Sequence, residues 1–203
     1  MPKPSIIPIS PAAPLEDWPP FTEAEIASGA RAQKGLMLFE DKARGLSVGV
    51  WEMEANESHW MDYPFNEFMT VLDGEVVIEE EGRKVSVKAG ESFILPKGLR
   101  CRWTQPGQVR KIFVIFDDPS GLKNAGPLQT LKIDPNARLA PSTPPSAEML
   151  LSPVPVQHTK EFRGCHGSAL HRRLGHDGLS PQAHRLSAPR AYASSRGQRH
   201  LHR

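Results

Sequence analysis

The ionisable residue in this 203-residue chain whose position asks most for an explanation is Glu67. If the run Glu67-Phe68-Met69-Thr70-Val71-Leu72 is a strand, Glu67, Met69 and Val71 share one face, and a carboxylate stands on an otherwise apolar wall. Burying a carboxylate is costly unless it is paired, protonated or bound to a ligand. Glu67 is therefore a candidate general base or ligand anchor, and even a purely structural role requires a partner such as Arg110 or Lys111. In Leu99-Arg100-Cys101-Arg102-Trp103 the same alternation turns Leu99, Cys101 and Trp103 inward and both arginines outward. A thiol so placed is a small buried hydrophobe unless a base or cation faces it. Trp51 and Trp103 are expected to line the same interior. Tyr63, at a strand end before Pro64, either aims its hydroxyl at a ligand or sits on the rim.

Bringing these side chains to one interior requires a closed or folded-over sheet. Turn signals recur at Asp73-Gly74, Glu81-Gly82, Ala89-Gly90, Lys97-Gly98 and Pro106-Gly107, with the glycines eight, eight, eight and nine residues apart. Short strands at that spacing indicate an all-β sandwich or barrel rather than a parallel α/β sheet. The predicted strands are Leu46–Met53, Glu67–Leu72, Glu75–Glu80, Lys84–Lys88, Ser92–Leu95, Leu99–Thr104 and Arg110–Phe116, all rich in β-branched and aromatic residues. Before them, residues 1–34 read as a proline-rich arm, with a short helix predicted from the capping-box pattern Thr22-x-x-Glu25 to Ala30. The barrel spans 35–118, and 119–160 reads as a linker followed by the start of a second folded unit at Leu150–Phe162.

Charge divides the chain unevenly. Residues 1–160 hold seven Arg and ten Lys against twenty-one acids, a formal −4, whereas 161–203 hold eight Arg and no Lys against Glu161 and Asp177, a formal +6. That tail has no Val, Ile, Met, Trp, Asn or Lys, and it shows no strand or helix period, so disorder is expected. Clustered arginine would suit nucleic acid and its six histidines would suit metal. GC-rich coding DNA read out of frame yields the same mixture, and the loss of every Lys beside eight Arg fits that account better than a phosphate-binding arm. Nucleic acid is accordingly not the expected partner. The chain has no apolar run long enough for a membrane span, its N-terminus lacks signal-peptide features, and it carries only Cys101 and Cys165. A cytoplasmic protein without a membrane partner is the expectation.

Glu67-Phe68-Met69-Thr70-Val71-Leu72-Asp73-Gly74 and Pro96-Lys97-Gly98-Leu99-Arg100-Cys101-Arg102-Trp103, with Gly90 six residues before Pro96, resemble the two motifs of the cupin superfamily. They are most similar to the branch that includes (S)-ureidoglycine aminohydrolase and the ethanolamine-utilisation Q-type proteins. The resemblance implies an RmlC-like jelly roll, a double-stranded β-barrel, over roughly residues 35–118. It also implies a two-cupin ancestry, with the second barrel truncated or lost by a frame change, and pairing of barrels into a homodimer. In metal-binding cupins the first motif supplies two histidines ahead of the glutamate and the second supplies one after the glycine. Here those positions fall on Met61 and Tyr63, or on Trp60 and Asp62, and on Cys101. Glu67 alone keeps the family's ligand type. A divalent ion could still be held by His59, Asp62, Glu67 and Cys101, since carboxylate and thiolate are zinc ligands. The expected cofactor is none or a single divalent metal ion, with the metal-free pocket favoured on ligand count.

The functional expectation is a small-molecule pocket inside the barrel, lined by Trp51, Met61, Tyr63, Met69, Cys101 and Trp103 around Glu67. By fold analogy the ligand is a small nitrogenous metabolite, a ureide or an amine. The alternative is a non-catalytic cupin that senses a metabolite or completes an assembly.

Overall fold

Four of the turn glycines, Gly74, Gly82, Gly90 and Gly98, have φ between 70° and 88°, the left-handed region where a side chain is disfavoured. Gly74 is the most constrained, because a Cβ there would lie 2.1 Å from the carbonyl oxygen of Gln108. These turns fold the chain back every eight residues and produce antiparallel strands, as the spacing predicts.

The computed structural model describes residues 6–117, 128–144, 146, 156–163 and 169–177. Within residues 1–133, which form one unit, the strands are β1 (Glu16–Trp18), β2 (Ile26–Gly29), β3 (Gln33–Asp41), β4 (Leu46–Met53), β5 (Asn56–Ser58), β6 (Met61–Asp62) and β7 (Asn66–Asp73). They continue as β8 (Glu75–Glu80), β9 (Arg83–Lys88), β10 (Ser92–Leu95), β11 (Arg100–Gln105), β12 (Val109–Phe116) and β13 (Leu131–Lys132). One sheet runs β1-β3-β4-β12-β7-β10-β13, and the other runs β2-β5-β11-β8-β9 with β6 also on β11. Their inner faces meet over Met69, Val71, Val76, Ile78, Val87, Phe93, Leu95, Cys101 and Val109, none of them measurably exposed. This is the all-β jelly roll expected of a cupin.

Alternation is obeyed on both strands that carry candidate residues. Glu67, Met69 and Val71 are buried on β7, and Cys101, Trp103 and Gln105 are buried on β11 while Arg100 and Arg102 face out. Arg102 finds Glu57 at 2.9 Å and Glu79 at 2.5 Å on the outer surface.

The ends of the barrel differ from expectation in two places. Thr22 and Glu25 do form the capping contact, the Thr22 backbone N–H and hydroxyl each donating to Glu25 Oε2 at 2.8 Å. The predicted helix to Ala30 is instead a single turn followed by β2, because Ile26, Ser28 and Gly29 pair with β5 and Ile26 is buried. The barrel also extends past residue 118: β13, in the predicted linker, pairs with β10, and the Thr130 N–H donates to the buried carboxylate of Glu80 at 2.5 Å.

The second unit, residues 134–203, contains β14 (Ala140–Ser142), β15 (Val156–Arg163) and β16 (Ala169–Asp177) in an antiparallel sheet of that order. β15 falls where a second unit was expected to start. β16 lies inside the segment expected to be disordered, and its pairing is carried by backbone hydrogen bonds, which need no side-chain period. The remainder of that expectation, residues 164–168 and 178–203, lies outside the described residues.

Candidate functional site

β12 carries Val109, Lys111 and Phe113 buried on alternate positions, so the sheet turns a lysine inward beside Glu67. Lys111 Nζ donates to Glu67 Oε1 at 2.9 Å, with side-chain exposures of 9% and 5%. The other carboxylate oxygen, Oε2, accepts a short hydrogen bond from the Tyr63 hydroxyl. Burial, then the charge of Glu67 and the hydrogen bond to it, push the Tyr63 pKa well above the ordinary phenol value, so Tyr63 holds its proton and acts as a donor.

Two indoles complete the cluster. Trp51 stands directly across from Lys111 in the β4–β12 pairing, and Lys111 Nζ lies 4.9 Å from the Trp51 ring and 4.8 Å from the Trp103 ring. Both distances suit cation–π attraction. The rings meet edge to face at 6.3 Å, and each N–H is tied down. Trp51 Nε1 donates to Gln33 Oε1 at 2.7 Å, and Trp103 Nε1 donates to Gln105 Oε1 at 2.9 Å. Gln105, fully buried, in turn donates to the Met53 and Glu54 carbonyls at 2.7 and 2.9 Å. A fourth contact on Lys111 Nζ is the Met69 sulfur at 3.0 Å, a weak acceptor.

This cluster forms one wall of a cavity of about 280 Å³. Trp51, Met61, Tyr63, Glu67 and Trp103 line it, as expected from the sequence, together with Lys111, Gln33, Asn56 and Ser58. Trp18, Phe21, Glu25 and Ile26 of the N-terminal segment, with Phe113 and Ile115 of β12, supply further wall. The N-terminal arm thus contributes to the site on its own barrel, which its proline-rich sequence did not signal. Lys111 was legible only as a charge partner for Glu67. The alternation that placed Glu67 inward would have placed Lys111 there too.

Two expected pocket residues stand elsewhere. Met69 is buried beside Lys111 but is not among the lining residues, and Cys101 is fully buried away from the cavity. Burial, then the charge of Glu80, pushes the Cys101 thiol up to about 12, which makes it a packed, unreactive group.

The suggested metal set also does not assemble. Among the described residues no group of three or more His, Cys, Asp and Glu side chains is placed to hold a metal ion. Asp62 faces outward, 74% exposed and 3.6 Å from Arg100, because it alternates with the inward residues Met61 and Tyr63. His59 is exposed because the chain breaks strand between β5 and β6, and the buried residue is Ser58, whose hydroxyl accepts from the Trp103 backbone N–H at 2.9 Å. Where the resemblance implies a metal, the donors that converge on Glu67 are an ammonium and a phenol. They do not fit a cation.

Residues 40–113 match the family model of the EutQ-like cupin domain. The curated acetate kinase EutQ of Clostridioides difficile is 34% identical over 83 residues, 41% of this chain and 52% of that protein. The chain therefore spans about half the length of that relative. A crystal structure of a Pseudomonas syringae pv. tomato protein of unknown function is 22% identical, with a TM-score of 0.54 over 68% of this chain and 56% of that one. The structure of the Clostridium difficile EutQ protein is 29% identical, with a TM-score of 0.37 over 42% of this chain and 68% of that one.

Proposed function

We propose, from the premise that residues 40–113 are a EutQ-like cupin domain, that this chain binds a small, neutral, nitrogen-containing metabolite of the ureide or amide type inside its barrel. The observation that carries the reading is the Tyr63–Glu67–Lys111 cluster set between Trp51 and Trp103 in the cavity wall. Lys111 and Glu67 cancel in charge, so the wall offers donors and an acceptor without a net charge. A ligand with one full charge must break that pair, whereas a ureide can donate to the carboxylate and accept from the ammonium or the phenol while the pair persists. Amines rank behind ureides, since an amine reaches Glu67 only by displacing Lys111 from the indole faces.

A non-catalytic, sensing role is favoured by one specific feature: both oxygens of Glu67 are already engaged at rest, so it is not a free base. Thermal-shift titration separates the readings. Hydantoin, methylurea and propionamide are expected to raise the melting temperature more than ethylamine, or than acetate, included because a relative is named an acetate kinase. A ligand at one hundred times its Kd adds about 2.7 kcal/mol of stability. Flat responses across the panel would sink the proposal. For any ligand found, Glu67→Gln abolishes turnover if the protein is an enzyme, and shifts only affinity if it is a sensor.

The homodimer expected from the sequence has a candidate surface on β3. β1 covers only Gln33–Gly35 of that strand, and Met37 and Phe39 beyond it are 43% and 40% exposed. An edge carrying apolar side chains pairs readily with a second copy of itself. Light scattering should show a dimer in the parent protein and a shift toward monomer in Met37→Lys/Phe39→Lys.

A further inference from the structure

We infer that Lys111 is an imine-forming nucleophile for small aldehydes and ketones that enter the cavity, with Glu67 as its proton acceptor and Tyr63 as donor to the carbonyl oxygen. This rests on the cavity reading above but not on its ligand class.

The geometry seats an amine against its own proton acceptor in the wall of a cavity. Among the described residues Lys111 is the only lysine that lines the cavity, and its Nζ lies 2.9 Å from a single carboxylate oxygen. Its other contacts are a thioether sulfur and two indole faces, none of which is a strong acceptor. Moving one proton from Nζ to Glu67 Oε1 turns the ion pair into a neutral amine beside a neutral acid, an exchange that an apolar wall tolerates far better than water does. The amine then carries a free lone pair, the state from which lysine attacks carbonyls.

The step balances without an added reactant. The Nζ lone pair forms a bond to the carbonyl carbon, the C=O π pair moves to oxygen, and that oxygen takes the Tyr63 proton, which Glu67 replaces through Oε2 while the now cationic nitrogen returns one of its two protons to Oε1. The carbinolamine hydroxyl then leaves as water with the proton stored on Glu67, and the nitrogen lone pair closes the C=N bond. Ammonium and carbonyl compound have become iminium and water. Glu67 is again a carboxylate and the cation again lies between Trp51 and Trp103, so the resting electrostatics are restored around the product. The iminium is electrophilic at the former carbonyl carbon, which suits the site to enamine formation or to delivery of the carbonyl compound to an amine.

The test is reductive trapping of the full chain with propionaldehyde and sodium cyanoborohydride at pH 7, followed by peptide mapping of the ten lysines. Lys111 is expected to be alkylated first, to near one adduct per chain, despite its burial. Exposed Lys34 should lag at least tenfold, and Glu67→Gln should slow labelling of Lys111 about 100-fold, the scale of a lost general base. Lys111→Arg keeps the charge and should leave only the slow surface labelling. Labelling of Lys111 no faster than Lys34, or unaffected by Glu67→Gln, overturns the inference. A parallel thermal shift with propionamide, which cannot form an imine, distinguishes the two failures. Stabilisation without trapping removes the nucleophile and keeps the pocket; neither signal removes both.

Discussion

Lys111 and Glu67 hold each other in place at the least exposed charged position of the barrel interior, so the consequences of cutting either are unequal. Removing the ammonium in Lys111→Met leaves Glu67 with Tyr63 alone, and an uncompensated buried charge costs about 3–5 kcal/mol. Equilibrium urea unfolding should show that loss, and the double variant Lys111→Met/Glu67→Gln should recover part of it, because no net charge is then buried. Cys101 gives a second residue-level prediction. Its thiol has a folded-state pKa of about 12 against an ordinary 9.0, so the folded state retains the proton between those values. The stabilisation from keeping it neutral is present below pH 9 and declines as pH rises toward 12. In a Cys165→Ser background, iodoacetamide at pH 8 should therefore modify Cys101 only in denaturant. Labelling of the native protein at the rate of a free thiol would refute the burial argument.

At the scale of elements, the site depends on a close approach between β1 and β3. Gly35 lets Trp18 lie flat against the strand, since a Cβ at that position would come within 2.4 Å of the indole. Trp18 in turn meets Phe113 edge to face at 6.3 Å, and both line the cavity. Gly35→Val is expected to evict Trp18 at a cost of about 1–3 kcal/mol, and acrylamide should then quench more of the indole fluorescence. The same element explains a limit of sequence reading. Thr22–Glu25 is a true capping contact, but a cap establishes where a turn begins and leaves open whether the next residues pair with themselves or with β5. Ile26 is buried by that pairing, and tertiary packing overrode the local helix signal.

For the whole molecule, the boundary of the barrel is set by a strand that looks like linker. β13 closes the β10 edge of the larger sheet, and Thr130 satisfies the otherwise buried carboxylate of Glu80. A chain of residues 1–133 should fold with an unfolding midpoint close to that of this unit in the full chain. Stopping at residue 118 removes both contacts and exposes Phe93 and Ile94 along an open strand edge, and calorimetry should find it several degrees less stable or aggregated.

The period-two alternation and the regular turn glycines are properties of neighbouring residues, and they were sufficient to determine the seven strands β4 and β7 to β12, the all-β class and the inward positions of Glu67, Trp51, Trp103 and Cys101. Which inward residues meet is a different matter. Glu67 and Lys111 are 44 residues apart, and their contact arises from the register of β7 against β12 and of β12 against β4. No local pattern encodes that register. Other long-range pairings packed Cys101 of β11 against β6 and β8, outside the cavity lining, and brought Trp18 to the cavity through β1 on β3, whereas Asp62 is turned outward by alternation alone. Alternation decides the face of a strand on which a side chain lies; only the closed sheet decides what it faces.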